Sequence, residues 1–535
     1  MYKKLSELNF KLVCSSLIFI LFFLFTLFFF ALFIAYTAWS PYINPINYSV
    51  VIGMLEYLEV GIFVMAFCLA MYFSHQKYTL EQICFIPTHI VVLCKLGTVI
   101  LASFLICLIP VTYILIFAIY QGTDIFFTLN TLCYTLVRWI ALLLVADTLG
   151  FFVGLIIKTS YSYILAAPFA VITSFLNATI IDIFFGANPS LSRTVAQLLS
   201  VGDSYVGASE MDYPGLRLDL GFLVESLFSI SVSLLLFVLV YFMSSKGVTT
   251  RKVACGILSV GAVLVTGFVF ANLSPIEYQY TEKIYITSPE VQPYEITKYK
   301  GDLVLSEVSR FTGSFTVEPT TSQKHDPLTL RLDECFTIDE ISINGTPVMY
   351  SRHGDFITVE GPTNQTTYEI KYHGRVYYLS DIGCVNIYTS WLSAALPPNF
   401  AFIPIIDSDS TEKYFDICVS SMNTVISNLD VTQEKNYYYL KGSASSICIF
   451  TGFLSEYDYN GTIIYRSKYN FVTDYDAVYL EGIGLNEYMN PQTYEIETGS
   501  ISQPQKAFLI YDLYGVLGFP VIYGDYMLLN YGLTT

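Results

Sequence analysis

The sequence predicts an α-helical polytopic membrane domain of about seven transmembrane helices, followed by an extracytoplasmic all-β sandwich. Three observations carry that expectation. A mean hydropathy of +0.54 with only 13% charged residues is too apolar for an ordinary water-soluble protein. Apolar residues fall in long unbroken runs up to Asn272 and in short alternating runs after it. Charge divides at the same place: residues 1–272 carry 12 basic and 12 acidic side chains, leaving 15 of 27 basic and 32 of 44 acidic ones, the whole net charge of −17, beyond them. Such an acidic outer part excludes nucleic acid and anionic lipid as its natural partners.

Spans are expected at about 13–39, 50–73, 95–120, 125–157, 161–185, 220–243 and 253–272. The first follows Lys3, Lys4 and Lys11 and is nearly twice the ~7–15-residue apolar core of a signal peptide, so it reads as a span and not as a cleaved leader. The last, Val253–Asn272, has no charge and is long enough to cross a ~30 Å hydrocarbon layer as a helix. His75, Lys77, Lys158, Lys246, Arg251 and Lys252 fall in the even-to-odd connections, whereas Ser40–Ser49 and Gln121–Asp124 carry no Lys or Arg. The longer loop Gly186–Asp219 breaks the pattern with Arg193 and Arg217 but balances them with Asp203, Glu210, Asp212 and Asp219. This places the N-terminus inside, residues 273–300 as a linker outside, and residues 301–535 as the sandwich at the outer face of the cell membrane.

Ionisable residues within spans are costly and mark candidate sites. Arg138 falls near mid-depth of the fourth span, and Asp147, nine residues on, faces the opposite way. Glu56 and Glu59 share a face of the second span, while Asp182 and Glu225 fall near the outer ends of the fifth and sixth. Two readings stay open: a polar lining of a conduit, with Arg138 answered by Glu59, or a structural ion pair locking helices together. The seven cysteines of the membrane half have no metal-like spacing and read as small apolar fillers. Cys335, Cys384, Cys418 and Cys448 lie outside and allow three disulfide connectivities; Cys418 and Cys448 sit in strand-like runs that could be neighbours across a sheet.

The loop after the second span holds Thr79-Leu80-Glu81, then Pro87, then Lys95 at the mouth of the next span. Thr79 can cap a short helix, Glu81 suits its first turn, and Pro87 stops it. This arrangement resembles the coupling loop of ATP-binding-cassette (ABC) transporter permeases of the type-2 exporter class, in which a short helix lies against the ATPase. The outer stretch NPSLSRTVAQLLSV before the sixth span is similar to the short re-entrant helices of such permeases. The resemblance implies Thr79, Glu81 and Pro87 as the coupling site, and a second permease copy or paralogue to complete the path. No G-x-x-x-x-G-K-[ST] occurs, so the ATPase is expected to be a separate polypeptide.

Beyond the last span, runs such as DLVLSEV, GSFTVEP, LTLRL, FITVEG, YEIKYHG, YFDICVS, NYYYLKG and GTIIYRS read as strands, and Asn344-Gly345 and Asn460-Gly461 as hairpin turns. The order Leu328–Leu332, Ile341-Ser-Ile-Asn-Gly-Thr, Tyr350–Val359, Tyr368–Gly374, Pro397-Pro398, Tyr414-Phe-Asp-Ile and Asn436–Gly442 resembles the N-terminal sandwich of thermolysin-like zinc aminopeptidases, a module that follows the spans in some bacterial permeases. The departure is large: neither H-E-x-x-H nor G-x-M-E-N occurs, and the chain closes near Tyr523–Asn530, where the relatives' catalytic domain would begin. No catalytic residue, metal or cofactor is therefore expected. His325, His353 and His373 read as solvated loop residues, and the abundant tyrosines as strand core, with an outer peptide- or sugar-binding face as the alternative. The functional expectation is a permease subunit of an ATP-driven transporter with a non-catalytic outer β domain. The alternative is a membrane-anchored binding or scaffold protein that recognises a peptide or protein outside and transports nothing.

Overall fold

In the computed structural model the described residues are 2–39, 48–76, 87–174, 176–185, 189–201, 218, 220–245, 250–273, 276–277, 292–320, 327–379, 385–398, 400–406, 411–459, 462–467, 506–509, 521–523 and 526–529. The chain divides into two compact units that part between Ser274 and Pro275.

The helical unit contains α1 (Tyr2–Cys14), α2 (Leu17–Trp39), α3 (Tyr48–His75), α4 (Thr88–Ile106), α5 (Leu108–Gln121), α6 (Ile125–Ile156), a 3₁₀ turn (Ser160–Leu165), α7 (Ala166–Ile172), α8 (Asn177–Phe185), α9 (Pro189–Leu199), α10 (Leu220–Ser244) and α11 (Thr250–Leu273). Among the described residues five helices are long and apolar enough to cross a membrane, or six if α1 and α2 count as one bent span.

Three differences from the expected spans have local causes. The chain bends by 56° between α1 and α2. Ser16 makes the break: its hydroxyl donates to Val13 O at 2.7 Å and accepts from the Phe19 N–H at 3.3 Å, closing one helix and capping the next. Helix α4, where the third span is expected, begins at Thr88 rather than Lys95, because Pro87 in extended conformation (ψ 130°) sits at its N-cap, where no backbone donor is needed. The segment 161–185 is a 3₁₀ turn and two short helices, not one span. Asn177 interrupts it, donating to Ile172 O (2.8 Å) and to Ala196 O (2.9 Å) and so replacing part of the ladder with a side-chain amide.

Close packing of α3 on α6 organises the unit. A Cβ on Gly150 would lie 2.4 Å from Phe67 O, so glycine there lets the two backbones approach closely, and a Cβ on Gly154 would lie 2.0 Å from the Ser74 hydroxyl that packs over it. The helices run in the same direction, since Glu59 meets Arg138 and His75 meets Ile157. At the end where α3 stops, His75 Nε2 bonds Ile157 O at 3.0 Å and Lys95 Nζ donates to Gln76 O at 2.7 Å. At the ends of α10 and α4, the Tyr241 ring contacts His89, and Lys252 of α11 lies 5.6 Å from the Tyr241 centroid. His75, Lys95 and Lys252 thus gather at one end of the bundle.

The sheet-rich unit opens with β1 (Ile276–Glu277), and its first long strand, β2 (Tyr294–Val304), starts inside the stretch read as linker. It continues through β3 (Ser309–Pro319), β4 (Leu328–Arg331), β5 (Phe336–Ile343), β6 (Thr346–Pro347), β7 (Tyr350–His353), β8 (Phe356–Val359), β9 (Thr366–Gly374), β10 (Tyr377–Leu379), β11 (Val385–Thr389), β12 (Ala394–Leu396), β13 (Lys413–Ser420), β14 (Thr424–Ser427), β15 (Asp430–Glu434), β16 (Tyr437–Ala444) and β17 (Ile449–Gly452). β18 (Leu454–Tyr459), β19 (Thr462–Ser467), β20 (Lys506–Leu509), β21 (Val521–Tyr523) and β22 (Tyr526–Leu529) follow. An eight-stranded sheet (β15-β16-β13-β2-β3-β9-β5-β6), a six-stranded one (β1-β10-β11-β12-β17-β14) and a three-stranded one (β4-β8-β7) share one apolar core; β18–β22 form a further sheet. Period-two alternation decides which side chains enter: on β9, Tyr368, Ile370 and Tyr372 point in while their neighbours point out. Asn344 (φ 52°) and Gly345 (φ 74°) make the two-residue turn from β5 to β6.

Core tyrosines stack in pairs across the eight-stranded sheet, Tyr299 on Phe415, Phe315 on Tyr368 and Phe311 on Tyr372, with centroids 5.0–5.4 Å apart. Their hydroxyls reach backbone acceptors: Tyr299 to Pro404 O (2.7 Å), Tyr372 to Phe402 O (2.5 Å) and Tyr368 to Glu360 O (2.8 Å). Two of these bonds seat the irregular segment 400–406 against the sheet, and Arg331 pairs it through reciprocal backbone bonds with Ile405. Cys418 on β13 is flanked by Asp302 and Tyr439, whereas Cys448 leads into β17 of another sheet, so the two are not the cross-strand neighbours that their runs suggest; Cys384 lies outside the described residues.

Burial pushes the Tyr368 phenol up to about 12 and Tyr372 well above its usual range. Because the folded values lie above the unfolded value of about 10, these groups contribute stability that is complete below pH ~10 and is lost as pH rises from there through about 12. Thermal unfolding should therefore show a melting temperature that is flat to pH ~9.5 and falls beyond it. Tyr368→Phe should cost about 1 kcal/mol at neutral pH and make the alkaline fall shallower; an unchanged alkaline slope would refute the assignment.

Candidate functional site

The candidate site forms where α3, α6 and the interrupted segment meet. Arg138 and Glu59 are both buried among apolar helices, and Arg138 Nε lies 2.7 Å from Glu59 Oε1. The guanidinium also donates through Nη1 to Tyr134 Oη, one helical turn earlier, at 2.8 Å. Tyr134 in turn stacks on Phe222 of α10 with ring centroids 4.5 Å apart. A carboxylate, a guanidinium and a phenol therefore tie three helices at one level. Arg suits this role because its planar fork can serve two acceptors at once while staying charged.

A cavity of about 10 Å³, the space of a single water, opens beside the pair. Glu59, Val60 and Phe63 of α3 and Arg138 and Leu142 of α6 form one wall. Ala170, Thr173 and Ser174 from the end of α7, with Ser200 and Val201 from the end of α9, form the other. That second wall is a hairpin of short helices which leaves this level at Thr173 and returns to it at Val201, where Val201 N–H donates to Thr173 O at 2.8 Å. Asn177 holds the hairpin's base, its amide donating to Ala196 O and at 3.1 Å to Ser200 Oγ. At its far end Ser192 Oγ donates to Asp182 Oδ1 at 2.5 Å, joining α8 to α9. Chemically, the arrangement is a narrow polar seam with one fixed charge pair and a row of hydroxyls.

The other sequence-marked residues lie elsewhere. Asp147 is fully buried on the α4 side of α6, where Ser103 Oγ donates to its Oδ1 at 3.1 Å; it does not join Arg138. Glu225 is buried on α10, one turn past Phe222. Glu56 falls on α3 one turn before Glu59, with its side chain outside the described residues. Thr79 and Glu81 also lie outside them, and Pro87 is the exposed N-cap of α4. In the sheet-rich unit His353 and His373 stand on β7 and β9, and His373 Nδ1 lies 2.9 Å from Asp339 Oδ2; His325 is outside the described residues.

Several participants carry a signal that ionisable residues alone do not give. Gly150-Phe-Phe-Val-Gly154 is a small-x-x-x-small helix-packing pattern, and it sets the α3–α6 distance that Arg138 and Glu59 span. Tyr134 sits four residues before Arg138, the spacing at which helical side chains meet. Thr173, Ser174 and Ser200 have no such pattern; only the fold brings them to the seam.

No protein-family model matches this chain, and no curated protein does. Among solved structures, native leukotriene A4 hydrolase from Saccharomyces cerevisiae aligns over 48% of this chain and 45% of its own, at 13% identity and a TM-score of 0.33. An M1 zinc metallopeptidase from Deinococcus radiodurans aligns over 44% of this chain and 60% of its own, at 11% identity and a TM-score of 0.29. The chain spans about half the length of the structures it matches.

Removing one partner of the buried pair leaves the other charge uncompensated. Glu59→Gln or Arg138→Gln should each cost about 3–5 kcal/mol, and the double variant Glu59→Met/Arg138→Met less than either. Unfolding in detergent micelles measures this; strictly additive losses would show that the two side chains do not act as a pair.

Proposed function

We propose that this chain is the membrane-spanning permease subunit of an ATP-driven transporter of the ABC type, carrying a non-catalytic β domain on the outer face of the cell membrane. The observation that carries the reading is the polar seam at Glu59 and Arg138. A helix bundle that served only to anchor would gain nothing from burying Glu59, Arg138, Asp147 and Glu225 among apolar helices, because each charge taken from water costs several kcal/mol before pairing. A hairpin of short helices with its base at the level of the pair is likewise unnecessary for anchoring, and is tolerated in a membrane where it lines a polar path.

Two further features support the coupling half of the reading. Thr79 and Glu81 lie in the sequence between Gln76 and Pro87, and Lys95 holds the Gln76 carbonyl at the start of that stretch. The neighbouring helix ends are joined by the His75–Ile157 bond and the Tyr241 contacts, so a push on that loop would reach α3, α4 and α6 together. With the basic connections at this end facing the cytosol, a separate nucleotide-hydrolysing subunit would grip the Glu81 region. A second copy or a paralogue would complete the path, and the chain itself would catalyse nothing.

Cross-linking tests the proposal. Glu81→Cys carrying a bifunctional thiol reagent, in native membranes, should capture an ATP-hydrolysing polypeptide. A membrane-impermeant thiol reagent should modify Cys84 only after permeabilisation, as mapped by mass spectrometry of that peptide. Repeated failure to recover an ATPase, or labelling of Cys84 in intact cells, would sink the reading and leave the anchored binding protein as the better account.

A further inference from the structure

We propose that one end of the sheet-rich unit rests in the interface of the bilayer, its exposed aromatic and apolar side chains taken up among zwitterionic lipid headgroups. The surface is made by the connections 305–308, 390–393, 421–423 and 435–436 and the strand ends beside them, with Val304, Val308, Trp391, Met422 and Tyr437 as the exposed side chains. The inference rests on α11 crossing the membrane, as the proposed function has it, and on nothing else in that reading.

Strand register puts those four connections together. β1 runs parallel to β10, and β10 antiparallel to β11, so Ile276, the first residue of β1, lies toward the end of the six-stranded sheet where β11 finishes. The turn 390–393, which carries Trp391, leads from there into β12. In the same row β17 finishes opposite the start of β14 at Thr424. The turn 421–423 joins that start to the end of β13 in the eight-stranded sheet, where Ser420 pairs with Val304 on one side and Tyr437 on the other. Hydrogen bonds tie the group together. Asn423 Nδ2 donates to Leu392 O, the Ser421 N–H to Asn436 O at 3.2 Å, and the Leu305 N–H to Ser420 O at 3.2 Å.

Position and composition select the occupant. Ile276 is three residues after Leu273, the last residue of α11, and three residues of extended chain reach only about 10 Å. A helix that crosses the bilayer therefore delivers this end of the sheet to the membrane surface. The restraint is covalent. Among the described residues nine large apolar side chains are exposed in the sheet-rich unit, and five of them are the ones named above. Single exposed apolar side chains are ordinary on a surface facing water, but a cluster at one end marks a contact. Met422 is 71% and Trp391 41% exposed, and the interfacial layer of a bilayer is where Trp and Tyr concentrate, ring among the chains and polar edge in water. The four connections hold one acidic residue, Glu307, and one basic residue, Lys435, in a half of the chain that carries the whole net charge of −17. A neutral, aromatic end suits zwitterionic lipid; anionic lipid would call for a basic cluster.

Tryptophan quenching on the full chain in phosphatidylcholine nanodiscs tests this, with the Trp391 signal taken as the difference between the unaltered chain and Trp391→Phe. Lipid brominated near the headgroup end of its acyl chains should quench at least about half of that signal, and Met422→Trp in the Trp391→Phe chain should be quenched alike. Tyr414 is exposed at the opposite end of β13. Tyr414→Trp in the same background should ignore brominated lipid and be quenched by aqueous iodide at least about threefold more than Trp391. A Trp391 signal that brominated lipid leaves untouched would overturn the proposal, whether iodide reaches it, as in open water, or not, as under a second copy or a protein partner. Equal quenching of Trp391 and of the Tyr414→Trp variant by lipid would overturn it too, since the contact would not be confined to this end. Release of the chain from membranes by alkaline carbonate would refute α11 as a span and the proposal with it, whereas a retained chain with unquenched Trp391 refutes the proposal alone. The comparison with Trp391→Phe decides the matter even if another variant fails to fold.

Discussion

The helical unit depends on the contact between Arg138 and Glu59. Two charges among apolar helices are stable only where the backbones that carry them are held close and in register, and Gly150 and Gly154 bring α3 and α6 into such contact. Once that distance is fixed, other features follow from it. Tyr134 falls within reach of the guanidinium and carries the restraint to α10 through Phe222. The segment 160–201 packs on the same faces through Ser162 against Met71 and Phe169 against Phe67, leaves the level of the pair at Thr173 and returns to it at Val201.

The sheet-rich unit meets a related difficulty by other means. Segment 400–406 is irregular backbone within an apolar core, where each unpaired carbonyl would cost about 1–3 kcal/mol. Tyrosine answers this, because its ring fills the space between sheets while its hydroxyl reaches across to Phe402 O and Pro404 O. Arg352 does the same nearby with the carbonyls of Leu332, Asp333 and Gly354. Thus part of the tyrosine content that sequence alone reads as strand core or as a binding face also serves to satisfy an inserted loop.

Much of this was legible in the chain. Long apolar runs marked the helices, alternating ones the strands, and Asn344-Gly345 a hairpin turn, because these follow from local periodicity and backbone sterics. Arg138 and Glu59 stood out as costly residues in apolar runs, and their pairing was one of two readings left open. The bend at Ser16 and the early start of α4 at Pro87 were written in capping residues that hydropathy does not weigh. The hydroxyl wall of the seam was not legible: Thr173 and Ser200 are 27 positions apart, and each by itself reads as an ordinary polar residue at a helix end.

By itself the sequence determined the division into an apolar helical half and an acidic, alternating half, the places of the long helices and strands, and the absence of the phosphate-cradling and H-E-x-x-H motifs. Those depend on near neighbours along the chain. Only the tertiary structure decided that the fifth apolar run is interrupted, that the helix after it returns to Thr173, and that Thr173, Ser174 and Ser200 line one seam with Arg138. The reason is physical. A side chain's cost or use in a low-dielectric interior is set by what lies within about 4 Å of it, and at that range the partners belong to segments far apart in the chain.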